Sequence, residues 1–371
     1  MVNCQEKEVQ KLWEFSLEKS KWMCIKNRKK IIEEIEVELK QGKIGQTAVY
    51  KFLGNFINEK GNMDDQLKHM DVSAISLIRE ANKICCQNRV GKYEMDAKKL
   101  VYGSMIVQAL FYNIETWTNL RKSDMEHLET LQGKVIKGIF GLPKATPYWG
   151  LLYELDILPI KLLLTYRKLM LYYNFMNSDD RRVVKYLIKE QEKSGHKDCW
   201  YGNVRDEGES IGVLVCENEV VGKPKSKWKR MIKGKIKEAF EKEVEEKKKI
   251  SKKLRFLQKK GAETYLKSLS NDDARLALII RLNMCNWINS NFGGNGCCPL
   301  CGEELDTTEH VFNCESTHNE KQVTVKNLEE GEKMMDIVQL FRLAEKNRRE
   351  WMLDEINENF DAMRAEKTVR D

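Results

Sequence analysis

Four of the eleven cysteines fall between Cys297 and Cys314, and three of them, Cys298, Cys301 and Cys314, give with His310 the pattern C-x2-C-x8-H-x3-C. Cys298-Pro299-Leu300-Cys301-Gly302 sets two thiolates on one tight turn, where Gly302 lets backbone N–H groups face the sulfurs. Such a pair can fill two corners of a zinc tetrahedron. His310 and Cys314 are i and i+4, so one helical turn presents both on the same side and can fill the other two corners. Four protein ligands leave no position for water, which makes the expected zinc structural and not catalytic. Cys297 is an alternative first ligand in a C-x3-C arrangement, but Cys298 makes the tighter turn. A cluster of buried or free thiols is the other reading of the same residues. The remaining cysteines are scattered, which fits a reduced compartment better than a disulfide framework. His318 reads as a surface residue, and His196 with Cys199 as loop residues without metal.

Little else in the chain has the spacing of catalysis. Gly293-Gly294-Asn295-Gly296 lacks the Lys-Ser/Thr of a phosphate loop, and neither Gly-x-Ser-x-Gly nor His-Glu-x-x-His occurs. Asp64-Asp65, Asp179-Asp180 and Asp272-Asp273 stand in polar surroundings and read as loop or helix-cap carboxylates.

The elements that must position these residues are mostly helices. A chain of 371 residues, 42% hydrophobic and 33% charged, can bury a core and should form two or three folding units. With 5 prolines among them, and Lys, Glu, Leu and Met abundant, the expected class is mainly α with one small α/β piece. That piece is residues 1–62: a helix from Lys7 to Lys21, a strand at Trp22–Ile25, and a second at Ala48–Leu53 closed by Gly54. Residues 63–145 should be three helices, with apolar stripes Val72/Ile75/Ile78/Asn82, Leu100/Met105/Ala109/Tyr112 and Leu128/Leu131/Val135/Ile139. Gly141 to Pro147 breaks the pattern. Residues 146–222 read as a helical linker ending in a Gly-rich loop or hairpin from Gly195 to Gly222. Residues 223–290 are basic and helical, 291–320 hold the Cys/His cluster, and 321–371 are C-terminal helices.

Charge is unevenly distributed. The chain carries +7, yet residues 223–260 alone carry +12, leaving the rest at −5. Trp228, Ile232, Ile236, Phe240 and Val244 recur every four residues, so this run is an amphipathic helix with a basic outer surface. Lys225, Lys227, Lys229, Arg230, Lys233, Lys237, Lys252, Lys253 and Arg255 are its candidate contacts to phosphates. Trp287, Phe292 and Phe312 are candidates for stacking on a base, with packing under the metal the better reading for Phe312. No uncharged apolar run reaches 18 residues and the first residues lack a signal peptide, so an intracellular protein, nuclear or cytoplasmic, without membrane contact is expected.

Four segments together resemble a known family. Lys19-Ser20-Lys21-Trp22-Met23 resembles the Lys-Thr-Lys-x-Met stretch of motif D in non-LTR (LINE-like) retrotransposon reverse transcriptases. Tyr50-Lys51-Phe52-Leu53-Gly54 is similar to their primer grip, and Tyr112-Asn113-Ile114-Glu115-Thr116-Trp117 to a segment of the thumb. Cys298-Pro299-Leu300-Cys301-Gly302 with Thr308-Glu309-His310 is similar to their terminal zinc knuckle. Each is short, but the four lie in family order across about 300 residues.

The resemblance implies a palm remnant, a helical thumb, a linker, a CCHC knuckle and C-terminal helices, with RNA or DNA, or a full-length polymerase, as partner. It implies that Tyr50 to Gly54 lie against a primer backbone, and that Lys19 stands where the family has a lysine beside the leaving pyrophosphate. A solvated helix-end lysine is the other reading of Lys19. The family's metal-binding aspartates belong to an earlier palm motif and to an aromatic-x-Asp-Asp hairpin. Neither occurs here, so the chain is expected to start after them and to bind template-primer without polymerising alone. No proline follows Pro299, so the Pro-Asp nuclease of some relatives is not expected either. The alternative is a zinc-stabilised helical module that binds protein and no nucleic acid.

Overall fold

The computed structural model describes residues 16, 19–25, 37–39, 42–87, 94–118, 120–258, 262–285, 288, 296–317 and 319–368. It is mainly α with two small sheets. β1 (Lys21–Trp22) runs parallel to β3 (Gly42–Gln46), which pairs antiparallel with β2 (Val37–Leu39). β4 (Val49–Phe52) and β5 (Asn55–Asn58) form a hairpin in which Lys51 faces Phe56 and Phe52 faces Asn55. Its two loop residues, Leu53 and Gly54, have φ of 47° and 87°. Positive φ at both positions matches the right-handed twist of the strands, and at Gly54 it carries no Cβ penalty. The expected strand at Trp22–Ile25 extends no further than Trp22, and the helix expected from Lys7 falls almost wholly outside the described residues.

α1 (Asp64–Gln87) begins with the first acidic pair. Asn58 Nδ2 donates to Asp65 Oδ2 at 2.7 Å, and Arg121 bridges Asp64 to Asp124. These are helix-start carboxylates, as expected. The buried side of α1 is Leu67, Met70, Ala74, Ala81 and Cys85, whereas Val72 is 71% exposed and Ile75 is also outward. The expected stripe is therefore displaced at Val72 and Ile75 but holds farther along, where Ile78 packs against the core and Asn82 Nδ2 donates to the Gly138 carbonyl at 3.3 Å.

The second helix is displaced as well. α2 (Glu94–Val101) passes into α3 (Val107–Leu110) through a π-helical turn, Tyr102–Ile106. A π turn inserts an extra residue and rotates everything after it. Tyr102, Ile106, Val107, Leu110, Phe111 and Ile114 are buried, while Leu100 is 69% exposed and Tyr112 half exposed. α4 (Lys122–Phe140) keeps its expected face: Leu128, Leu131, Val135 and Ile139 are all buried.

α5 (Tyr148–Glu154), α6 (Ile160–Met176) and α7 (Val183–Ser194) follow. The Gly-rich stretch after them is neither a loop nor a hairpin. It folds as α8 (Trp200–Ser210) and α9 (Glu217–Val220). Two of its glycines serve packing: a Cβ on Gly202 would lie 2.5 Å from the Lys197 carbonyl, and one on Gly208 2.5 Å from Val215. Cys199 Sγ accepts the Gly202 N–H and caps α8.

α10 (Lys225–Ile250) buries Trp228, Ile232, Ile236, Phe240 and Val244 as its spacing requires. Trp228 Nε1 donates to the Leu169 carbonyl of α6 at 3.3 Å. After short 3-10 turns at Lys252–Leu254 and Ala262–Lys267 come α11 (Asn271–Arg281), α12 (Thr308–Asn313), α13 (Val325–Glu330) and α14 (Met334–Thr368). Buried apolar residues from Leu67 to Ala344 form one contiguous core. At its centre Arg281 reaches Glu154 at 2.8 Å and the Leu328 carbonyl, and Tyr265 donates to Glu154 at 2.6 Å.

Candidate metal centre and basic surface

The metal centre is assembled from a turn and one short helix. Gly302, at φ 71°, donates its N–H to the Cys298 carbonyl at 2.8 Å and closes the turn carrying Cys298 and Cys301. Cys297 bridges to Leu305 through its backbone, and the Cys298 N–H donates to the Glu304 carbonyl at 2.7 Å. Thr307 caps α12 by accepting the His310 N–H at 3.1 Å. That cap fixes the turn on which His310 and Cys314 stand on one side.

The donor atoms of Cys298, Cys301, His310 and Cys314 all lie within 4.8 Å of one another. Cys298 Sγ is 4.0 Å from Cys314 Sγ, and Cys301 Sγ is 3.4 Å from His310 Nε2. These four residues can hold a metal ion, and Cys298, not Cys297, belongs to the set. Three thiolates and one imidazole form the donor set of a closed tetrahedral site for a soft divalent ion. His310 Nδ1 lies 2.8 Å from Glu304 Oε2, which leaves Nε2 as the nitrogen facing the sulfurs. This is the outer partner that orients a ligating histidine.

Electrostatics divide the thiols. Burial pushes the Cys301 thiol up, but the backbone N–H groups of Glu304 and Glu303 outweigh it and bring the value to about 7. Burial and the neighbouring Cys298 push Cys314 up to about 11. Arg348 of α14 reaches into the site, its Nη2 2.5 Å from Asp306 Oδ1 and 3.7 Å from Cys298 Sγ. Phe312 packs edge-on against Phe341 with centroids 5.4 Å apart, which accounts for its ring as core. Trp287, Phe292 and His318 lie outside the described residues. Cys199 Sγ lies 3.0 Å from the His196 carbonyl, and neither residue is in the donor cluster.

Sequence reasoning missed Glu304, Asp306, Thr307 and Arg348. Thr307, three residues before His310, carries a capping signal. Arg348 has no local signal, because α14 brings it back from far along the chain.

The Tyr50–Gly54 segment forms β4 and the hairpin loop. Tyr50 Oη donates to the Lys19 carbonyl at 2.9 Å, so the two family-like segments touch. Lys51 Nζ stands 5.6 Å above the Phe56 ring, while Phe52 and Leu53 are exposed. A cavity of about 280 Å³ lies beside Gly54, lined among others by His69, Gln108 and Tyr112.

Lys225, Lys227, Lys229, Arg230, Lys233 and Lys237 are all exposed on α10, and none has an acidic partner among the described residues. Lys252 and Lys253 share this condition, but Arg255 pairs with Glu309 at 2.6 Å and ties the end of the basic segment to α12. Among the described residues, no helix is long and apolar enough to cross a membrane. No protein-family model matches the chain, and no curated protein or solved structure does either.

Proposed function

We propose that the chain positions nucleic acid, as the primer-grip, thumb and knuckle portion of a non-LTR retrotransposon reverse transcriptase, without carrying the polymerisation chemistry itself. The ion in the Cys3His centre is zinc in this reading, and its role is to fold the knuckle against α14.

The observation that carries the proposal is the placement of charge on α10. A helix N-terminus is the positive end of its dipole, so cations there oppose helix stability. Yet the first turn of α10 holds no acidic residue, and Lys225, Lys227, Lys229, Arg230, Lys233 and Lys237 accumulate along its N-terminal half. The acidic residues lie farther along, where Glu238 pairs with Lys235 and Glu245 with Lys248. Charge set against local stability and left unpaired fits a polyanionic partner. The hairpin bearing Tyr50 to Gly54, followed directly by helices, adds support from the resemblance.

The test is fluorescence anisotropy with labelled single-stranded RNA, single-stranded DNA and an RNA–DNA duplex over a range of salt. The logarithm of the affinity should fall linearly with the logarithm of salt concentration. No binding at low salt would discard the proposal. It would leave the protein-interaction module, which Val183, Tyr186 and Leu187, exposed side by side on α7, favour.

A further inference from the structure

Two helices and two turns from distant parts of the chain carry four cations near the end of α4. Lys137, in the last turn of α4, donates through Nζ to the Lys144 carbonyl at 2.9 Å. That bond holds the Gly141–Lys144 turn back over the helix, with Gly141 in the left-handed region at φ 65°. A Cβ built on Gly141 would stand 3.9 Å from Arg275 Nε, so α11 lies against the same turn. The 3-10 turn carrying Lys253 presses on α5 just beyond: a Cβ on Gly150 would meet Leu254 at 2.5 Å. Lys144, Lys253 and Arg275 are exposed and Lys137 is half buried. None of the four has an acidic partner among the described residues.

Cations that cluster without counter-charges repel one another, and a polyanion relieves that cost while releasing its own condensed counterions. Partial burial, with the charge of Lys253 second, holds the Lys137 ammonium below its ordinary value. Its neighbourhood is thus positive enough to be felt by a group on another element. Lys253 also continues the basic surface of α10, whose last turn carries Lys247, Lys248 and Lys249.

We infer that Lys137, Lys144, Lys253 and Arg275 form a phosphodiester-binding site that joins the helical bundle to the end of the basic helix, giving one continuous track for a nucleic-acid backbone. The inference rests on the nucleic-acid reading above and adds to it a defined surface on α4, the following turn and α11. Contacts of this kind position the backbone and carry no sequence preference.

The experiment uses the full chain, the same labelled single-stranded RNA and RNA–DNA duplex, and three proteins. One is wild type. The second carries Lys144→Gln, Lys253→Gln and Arg275→Gln, all at exposed positions, so that the Lys137 bond and the fold are retained. The third carries Lys321→Gln, Lys346→Gln and Arg349→Gln, which removes the same charge from exposed sites elsewhere. The site variant should lower the slope of log affinity against log salt by roughly 2, at ~0.7 to 0.9 per phosphate contact, and weaken binding on the order of 100-fold near 0.1 M salt. The charge-matched control should keep the wild-type slope. A site variant with unchanged slope, while wild type binds in a salt-dependent way, overturns this site and leaves the broader reading standing. Equal losses in both variants also overturn it, because the effect is then one of net charge. Wild type that fails to bind overturns both.

Discussion

Arg348 Nη2 lies 2.5 Å from Asp306 Oδ1, with both side chains almost wholly buried, and the same nitrogen is 3.7 Å from Cys298 Sγ. A charge on the C-terminal helix α14 is thereby joined to a carboxylate and a cysteine sulfur of the metal-site loop. Three thiolates around a divalent ion leave a net negative charge, and a guanidinium at this distance offsets it.

Removing one partner of a buried ion pair strands the other. Arg348→Met should therefore destabilise the fold by about 3 kcal/mol or more, whereas an exposed pair such as Lys346–Glu350 should contribute less than about 1 kcal/mol. Denaturant melts of Arg348→Met and Lys346→Met compare the two directly. Equal, small effects would show that Arg348 does not brace the site.

The donor set predicts one zinc ion for each chain. Cys301→Ser or a strong chelator should remove it and expose the amides of α12 to hydrogen exchange, since binding energy in such a site is folding energy. Elemental analysis with exchange mass spectrometry measures both. Because the ligands must be deprotonated, metal should also be released as pH falls. Metal-free protein with unchanged α12 protection would contradict this.

Asp124 offers a second dependence on pH. Its burial raises the carboxyl pKa, but hydrogen bonds from the Arg121 side chain and backbone outweigh that and lower it below 3.8. A depressed folded-state value contributes stability above the unfolded value, and that contribution is lost as pH falls through the folded one. Wild type should thus exceed Asp124→Asn in stability at neutral pH, with the gap closing below about pH 4. Acid titrations of the two proteins, followed by circular dichroism, test it, and a gap that widens in acid would refute the assignment.

Gly202→Ala should cost about 1–3 kcal/mol, because its Cβ would meet the Lys197 and His196 carbonyls at 2.5 and 2.6 Å, and backbone cannot easily yield. Gly234→Ala, on the open face of α10 with nothing near its Cβ, should be stabilising by up to about 1 kcal/mol. Thermal melts should move in opposite directions for the two.

How much of this was legible depended on whether a signal was local. The stripe from Trp228 to Val244 and the one from Leu128 to Ile139 repeat in unbroken helices, and periodicity placed them correctly. The C-x2-C and H-x3-C halves are each complete within five residues, so the donor cluster could be read directly. The π turn at Tyr102–Ile106 has no signature in residue type, and it breaks the register between Leu100 before it and Tyr112 after it, both of which are exposed. Gly202 and Gly208 resemble turn residues in sequence, yet they are there because other atoms occupy the space of a Cβ. Glu304 and Arg348 became visible only when the chain folded back on the site, and the Lys137–Arg275 cluster likewise draws on residues far apart along the chain.

The Glu154–Arg281 pair spans 127 residues, and Arg281 reaches a further 47 residues to the Leu328 carbonyl. Contacts so distant in sequence cannot form until most of the chain has been synthesised, and closing such loops slows folding. During translation the helices from α1 to α6 can begin to pack, but Glu154 waits at their edge without its cation. The last third of the chain thus acts as a clasp, and a ribosome that stalls before Leu328 leaves a bundle whose central charge has no complete set of partners.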